Sequence, residues 1–236
     1  MSSLQYFRRK LHNLTHPMLG RILMLHRVVE QRSEGKNCEL EVTPQFLEQT
    51  IKDYLGQGYR FVSIDEACNI VTQGHSKCPF VCLTFDDGYR DNYTNALPLL
   101  KRLGVPFTVY VSTGFVDNQF SMWWYNDEQL GLSIEELKTL DADPLCTIGA
   151  HTVLHPRLST LAEKDARKEI VNSKHRLEEI LGHSVYHFSY PHGDYNTTTL
   201  QLVRETGFSS ALKAWGGTVR RDANLLMLPR IELRQS

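Results

Sequence analysis

Short apolar runs alternate with helix-like segments along this chain, roughly six or seven times over its 236 residues. The runs are apolar throughout, which is typical of strands buried on both faces of a parallel sheet. Segments after them carry helix start signals, such as Thr43 followed by Pro44. Ser or Thr followed three residues later by Glu predicts capping boxes at Ser63–Glu66, Ser133–Glu136 and Thr160–Glu163. The sequence therefore predicts an α/β fold.

Polar clusters follow the ends of several predicted strands. These clusters are Asp86-Asp87, His151 and the segment 190–193. In a barrel, the carboxyl ends of the strands converge on one mouth, whereas an open sheet gathers its sites mainly at one switch point. We therefore predict a closed or nearly closed barrel. Residues 21–236 are expected to form this single domain, after a helical leader over residues 1–20.

Composition limits the partners and the compartment. A formal net charge of −1 and a pI near 6.8 do not indicate general electrostatic binding to nucleic acid. The five cysteines form no CxxC pair, which favours a reducing compartment. No signal peptide or transmembrane segment is predicted, so we expect a cytoplasmic protein. The basic leader packs on the domain or, alternatively, makes weak peripheral contact with an anionic membrane.

Asp86 and Asp87 raise a chemical question, because they directly follow the apolar strand 80–85. Two carboxylates at the edge of a buried region repel each other, and burial penalises both. A divalent metal would neutralise one and leave the other available as a base. The alternative is an Asx turn that caps the next helix.

His151 and His155 strengthen the metal hypothesis. A spacing of four places both imidazoles on one face of a helical turn, within reach of one ion. Two His and one Asp form a three-ligand set with an open position, as a catalytic site needs. Zinc suits these ligands best, and cobalt, nickel, manganese and ferrous iron are alternatives.

Three stretches, "TFDDGYRDNY", "GAHTVLHP" and "FSYPHGDYN", resemble successive motifs of the NodB-like polysaccharide deacetylases, which form carbohydrate esterase family 4. The resemblance extends over about residues 26–231. It implies a distorted (β/α)7 barrel and removal of acetyl groups from glycans. By the same resemblance, Asp87, His151 and His155 bind the metal, and Asp86 is the base that activates water.

The resemblance also implies further roles. A backbone N–H near His192 would bind the oxyanion, and Tyr89, Pro191 and His192 would contact substrate. Since no histidine follows His192, His26 is expected to be the general acid, as in circularly permuted relatives; the alternative is a strand histidine satisfied by backbone groups.

Two predictions concern residues outside these motifs. Ser189 stands where typical members have an arginine that pairs with the base, so Arg230 is expected to supply that charge. Alternatively, Arg230 neutralises a helix or sheet edge. Trp124, in an aromatic loop, is expected to stack on a sugar ring.

These residues support three functional hypotheses. The first is a metal-dependent hydrolase that removes an acetyl group from an N-acetylated sugar or glycan, more plausibly a glycan precursor if the protein is cytoplasmic. The second is another C–N hydrolase on the same barrel, which would cleave a small amide or cyclic ureide. The third is a catalytically silent glycan-binding module.

Overall fold

A computed structural model describes residues 17–121 and 130–235 of the chain. The strands are β1 (Met18–Leu25), β2 (Arg27–Val28), β3 (Glu41–Val42), β4 (Arg60–Phe61), β5 (Phe80–Phe85), β6 (Phe107–Val111), β7 (Cys146–Ala150), β8 (His187–Ser189), β9 (Ser210–Leu212), β10 (Val219–Arg220) and β11 (Ile231–Glu232). The α-helices are α1 (Pro44–Gly56), α2 (Ile64–Gln73), α3 (Leu97–Leu103), α4 (Thr113–Val116), α5 (Ile134–Asp141), α6 (Glu163–Leu181) and α7 (Thr197–Glu205). Short 3-10 helices occupy Lys36–Leu40, Leu158–Thr160, Pro191–Gly193 and Leu225–Met227, and a π-helical turn occupies Asn92–Ala96.

The main sheet has the strand order β10-β1-β5-β6-β7-β8-β9. Its strands pair in parallel, except that β10 is antiparallel to β1. The C-terminal segment connects the two sides of the sheet: Leu228 forms a bridge with Leu212 of β9, and Ile231 of β11 pairs with Leu23 of β1. The sheet therefore curls into a barrel-like form, and the predicted single-domain α/β barrel is confirmed.

The core lies between this sheet and the helices that cover it. Every residue of β5 is buried, as its continuous apolar run predicted. One face of α6 also points inward: Ala166, Ile170, Leu177 and Ile180 are buried, and Leu181 is partly buried against them. Each fully buried Leu or Ile side chain contributes about 1.5–3 kcal/mol. The parallel strands are thereby held so that their carboxyl ends share one edge.

Helix starts agree with the predicted capping boxes only in part. The box at Ser133–Glu136 is present with both hydrogen bonds. The Ser63 hydroxyl accepts from the Glu66 N–H, but the Glu66 carboxylate forms an ion pair with Arg60 rather than returning to Ser63.

The box predicted at Thr160–Glu163 is wrong. Helix α6 begins at Glu163, with Ala162 at its N-cap position. The Thr160 hydroxyl instead donates to the Arg157 carbonyl and belongs to the preceding 3-10 turn. The Thr160 side chain therefore bonds within a local turn instead of capping the helix, as the sequence pattern had predicted.

The predicted leader over residues 1–20 overlaps β1, which begins at Met18. Residues 1–16 lie outside the described residues. The apolar run around His26 is divided into β1 and β2, with His26 between them. Within the described ranges, no helix has the length and apolar character needed to cross a bilayer.

Candidate active site

The turn after β5 carries the two carboxylates into the protein. Asp87 and Gly88 both have left-handed backbones, with φ of 77° and 87°. A Cβ on Gly88 would lie 3.3 Å from a methyl group of Val111, so both space and conformation favour glycine there. Asp86 and Asp87 are only 3% and 1% exposed. Two buried carboxylates need compensating partners.

The loop after β7 brings in the two histidines by a route that differs from the predicted helical turn. Residues 151–155 are not helical, and Thr152 and His155 have φ of 67° and 55°. The Thr152 hydroxyl accepts from the His155 N–H at 3.1 Å. The Val153 and Leu154 N–H groups both donate to the Glu169 carboxylate on α6, each at 2.9 Å. The loop is therefore shaped by left-handed residues and an acidic anchor.

Asp87, His151 and His155 meet at one point. Asp87 Oδ1 lies 3.4 Å from His151 Nε2 and 3.3 Å from His155 Nε2. One ligand atom from each residue lies within 4.8 Å of the others. His151 Nδ1 donates to the Ser189 carbonyl at 2.8 Å, which leaves Nε2 available as a metal ligand. Asp87 Oδ1 is buried and makes no hydrogen bond with the described residues. This donor set fits a divalent cation.

The electrostatics of Asp87 and His155 also suit a cation. Burial raises the pKa of Asp87, but the neighbouring His155 and His151 outweigh it, and the pKa lies well below its ordinary value. Burial lowers the pKa of His155 to about 3. Burial also lowers the pKa of His151, but Asp86 and Asp87 raise it above its ordinary value. At neutral pH, Asp87 is ionised and His155 is neutral, which are the states that bind a metal.

Asp86 is held by a buried arginine. Arg230 Nη1 donates to Asp86 Oδ1 at 2.7 Å and Nη2 donates to Oδ2 at 2.6 Å. Ser189, at the position where typical relatives have arginine, accepts from Arg230 Nη2 at 2.9 Å and donates to Asp86 at 3.3 Å. Burial by itself raises the pKa of Asp86. Neighbouring positive groups, above all Arg230, outweigh burial, so the pKa of Asp86 lies below its ordinary value.

Arg230 does more than neutralise a helix or sheet edge, which was the alternative interpretation, because it pairs directly with Asp86. Its other hydrogen bonds go to the Thr84 hydroxyl at 3.2 Å and the Lys213 carbonyl at 3.2 Å. The side chain is buried where the C-terminal segment joins β9 to β1, and it extends from there to the Asp86 carboxylate. The structure thus forms the predicted pairing of Arg230 with Asp86.

A cavity of about 530 Å³ opens over the carboxylates and histidines. Its wall includes His26, immediately after β1, and His192, whose ring centroid lies 4.5 Å from that of His155. His192 has a φ of 57°. A Cβ on Gly193, the next residue, would lie 2.7 Å from the backbone nitrogen of Ala214, so this turn requires glycine. The cavity therefore joins the predicted ligands, base, acid and oxyanion-binding segment in one space.

Tyr89, which was predicted to contact substrate, does not line the cavity. Its side chain is fully buried and packs edge-on against Phe115, at a centroid distance of 5.5 Å. Pro191 is also buried and does not line the cavity. Its fixed φ suits the first position of the 3-10 turn that presents His192, so its contribution is to shape that turn. Trp124 lies outside the described residues.

Sequence reasoning missed several residues of the cavity wall. Trp215 is 60% exposed at the cavity, where Met24 and Leu40 add apolar surface. Arg157 and Glu232 add charge. An aromatic residue followed by two glycines, Gly216 and Gly217, is a weak signal for an exposed ring. Nothing in the local pattern placed that ring beside motifs from other strands.

Comparison with known proteins agrees with this geometry. A family model for polysaccharide deacetylases matches residues 73–211, more than half of the chain. YxkH of Bacillus subtilis (strain 168), classed with the polysaccharide deacetylases, is 29% identical over 215 residues, covering 90% of this chain and 70% of YxkH. A poly-β-1,6-N-acetyl-D-glucosamine N-deacetylase of Staphylococcus aureus is 25% identical over 80% of this chain and 67% of its own length.

Solved structures show the same fold. The Streptococcus pyogenes deacetylase PplD, in complex with acetate, superposes with a TM-score of 0.79 at 27% identity, covering 91% of this chain and 92% of PplD. IcaB from Ammonifex degensii gives a TM-score of 0.78 at 27% identity, covering 92% of each chain. This chain therefore belongs to the polysaccharide deacetylase family and is, as predicted, a hydrolase of the NodB type.

Proposed function

We propose that this enzyme removes the acetyl group from an N-acetylated sugar or glycan, with a divalent metal held by Asp87, His151 and His155. The observation that carries the proposal is the meeting of these three side chains beside an arginine-held Asp86 in one cavity. When bound, such a metal polarises the acetyl carbonyl and makes water more acidic. The ligand set suits zinc, and cobalt, nickel, manganese and ferrous iron are also compatible with it.

Asp86 is the proposed base. As water oxygen adds to the acetyl carbon, Asp86 accepts the proton that the water loses. Arg230 keeps the carboxylate ionised and fixes both of its oxygens. A backbone N–H in the turn around His192 is the proposed donor to the oxyanion that forms on the carbonyl oxygen.

His26 is the proposed acid. It gives a proton to the amide nitrogen while the C–N bond breaks and its electron pair passes to nitrogen, which yields acetate and a free amine. His26 lines the same cavity as Asp86, and its charge is a minor contribution to the lowered pKa of both Asp86 and Asp87. The side chain is partly exposed, so it can reach a bound substrate.

A sugar substrate is supported by the cavity wall and by the relatives. Trp215, Met24 and Leu40 provide the apolar surface on which a pyranose ring can stack. The S. aureus relative is named for N-deacetylation of a polymer of N-acetylglucosamine, and the PplD structure holds acetate, the product expected here. These matches favour deacetylation over the cleavage of a small amide or cyclic ureide.

The test is acetate release from N-acetylglucosamine oligomers and nucleotide-linked N-acetyl sugars, before and after metal removal by a chelator and after resupply of zinc. We expect Asp86→Asn and His151→Ala to lower turnover at least about 100-fold. His183→Gln alters an exposed histidine that pairs with Asp141 and serves as the control. Turnover that persists in both variants would refute the mechanism. Metal binding without hydrolysis of any sugar would favour the silent binding module.

A further inference from the structure

The segment that carries His26 is held in place by side chains from the motif that also supplies the base. Asn92 Nδ2 donates to the His26 carbonyl at 2.8 Å, and Asn95 Nδ2 donates to the Val28 carbonyl at 2.7 Å. The Val28 N–H donates to Asp91 Oδ1 at 2.8 Å. Asp91, Asn92 and Asn95 thus engage the main chain on both sides of Arg27, and we call them the His26 clamp.

The clamp is anchored by burial and charge. Asn92 is fully buried and Asp91 is 8% exposed. Arg27 Nε donates to the second Asp91 oxygen at 2.7 Å, while Arg27 Nη1 bonds Glu41 at 3.3 Å. Displacing this segment would leave the buried Asn92 amide nitrogen and the Asp91 carboxylate without these partners, which is costly, so the arrangement resists displacement. The residues from Asn92 onward form a π-helical turn, a distortion that occurs frequently at functional sites.

The His26 ring needs such support. Among the described residues, no side-chain or backbone hydrogen bond to this ring is found, so the position of the ring depends on its backbone. That backbone lies between β1 and β2, where sheet pairing is interrupted. A proton donor must lie within hydrogen-bonding reach of the leaving nitrogen, and small displacements of catalytic groups are costly.

We infer that Asp91, Asn92 and Asn95 are positioning residues that hold His26 where it can protonate the leaving amine. The inference rests on the proposed function, because it gives the clamp a role in that reaction. It also means that one stretch, residues 86–95, supplies a metal ligand, the base and the support for the acid. The clamp residues themselves do not line the cavity.

The test separates this role from a general structural one by changing the leaving group. An N-acetyl sugar leaves as an amine that requires a proton, whereas 4-nitrophenyl acetate leaves as a stable phenolate that does not. We would measure kcat/KM on both substrates for zinc-loaded wild type, Asn92→Leu, Asn95→Ala and His26→Ala. Thr94→Ala, which changes an exposed residue in the same π-helical turn, is the matched control.

We expect Asn92→Leu to lose about 10-fold or more on the sugar amide but less than about twofold on the aryl ester, in the pattern of His26→Ala. Asn95→Ala, at the less buried end of the clamp, should show a smaller loss with the same selectivity. It keeps the test valid if Asn92→Leu does not fold. Thr94→Ala should behave as wild type on both substrates.

Two results would overturn the inference. A parallel fall on both substrates would show that the clamp only maintains the fold, and unchanged turnover of both would show that His26 does not need it. Failure of the proposed function has a different signature: the wild type itself would release no acetate from sugar amides while remaining folded and metal-bound. That result would overturn both proposals.

Discussion

Arg230 is the residue on which the proposed base depends. It is 1% exposed and forms a bidentate ion pair with Asp86, from a position 144 residues later in the chain. Ser189 fills the place of the usual arginine with a small hydroxyl, which leaves room for Arg230 to reach the same carboxylate. Arg230 thus supplies the positive charge that the resemblance led us to expect beside Asp86.

We expect Arg230→Met to lower the free energy of unfolding by about 3–5 kcal/mol, because it leaves a buried carboxylate unpaired. Asp86→Leu combined with Arg230→Met should cost clearly less than the sum of the two single changes. Urea denaturation of the metal-free proteins measures all three variants. If the two single effects add to within about 0.5 kcal/mol, the buried pair is not coupled and this interpretation fails.

At the scale of elements, helix α6 holds the histidine loop from outside the cavity. Glu169 accepts two N–H groups from the residues between His151 and His155. This loop follows β7 directly and contains two left-handed non-glycine residues, Thr152 and His155. Such conformations cost about 1–3 kcal/mol each and persist only where the surroundings enforce them. The two hydrogen bonds to Glu169 help to hold the loop in this conformation.

Removing this anchor should weaken metal binding without removing a ligand. We expect Glu169→Ala to reduce zinc affinity about 10- to 100-fold, as other groups that orient metal ligands do. Lys168→Ala is the matched control, since Lys168 is exposed on the same helix and pairs only with Asp165 among the described residues. Competition with a chromophoric chelator gives both affinities. Equal affinities in the two variants would contradict a positioning role for Glu169.

At the scale of the whole molecule, the site is assembled from distant parts of the chain at one edge of the sheet. The turn after β5 supplies Asp86 and Asp87, and the loop after β7 supplies the histidines. His26 follows β1, and Arg230 comes from the segment that connects β9 with β1. The proposed metal ligands come together only in the folded protein, so the proposed metal site links metal binding to folding.

A saturating divalent metal should therefore raise the melting temperature. For zinc at 100 times its Kd, the expected stabilisation is about 2.7 kcal/mol. Asp87→Asn should lose most of this increase, while His183→Gln should keep it. Differential scanning calorimetry with and without metal checks the prediction. If zinc, cobalt, nickel and manganese all leave the melting temperature of the wild type unchanged, the result would argue against a metal site.

Local signals account for what could be predicted from the sequence. Apolar strand runs indicated the α/β fold, and the adjacent carboxylates and spaced histidines indicated a metal site of two histidines and one aspartate. Each of these patterns spans only a few consecutive residues, so it can be recognised without knowledge of the tertiary structure. Only the resemblance to a known family assigned Asp87, rather than Asp86, as the ligand. The placement of Arg230 beside Asp86 was expected only through a resemblance to known proteins. The cytoplasmic location, the identity of the metal and the catalytic roles stay predictions.

Tertiary structure alone decided the rest, because it depends on contacts between distant residues and on backbone conformations that periodicity does not encode. Tyr89 packs in an aromatic cluster, and Trp215 lines the cavity. Asn92 hydrogen-bonds to the backbone of His26, 66 residues earlier in the chain. The spacing of His151 and His155 was read as a helical turn, whereas left-handed residues made it a loop. By itself, the sequence determined which chemical groups are present and after which strands they come. Packing determined which of them face one another.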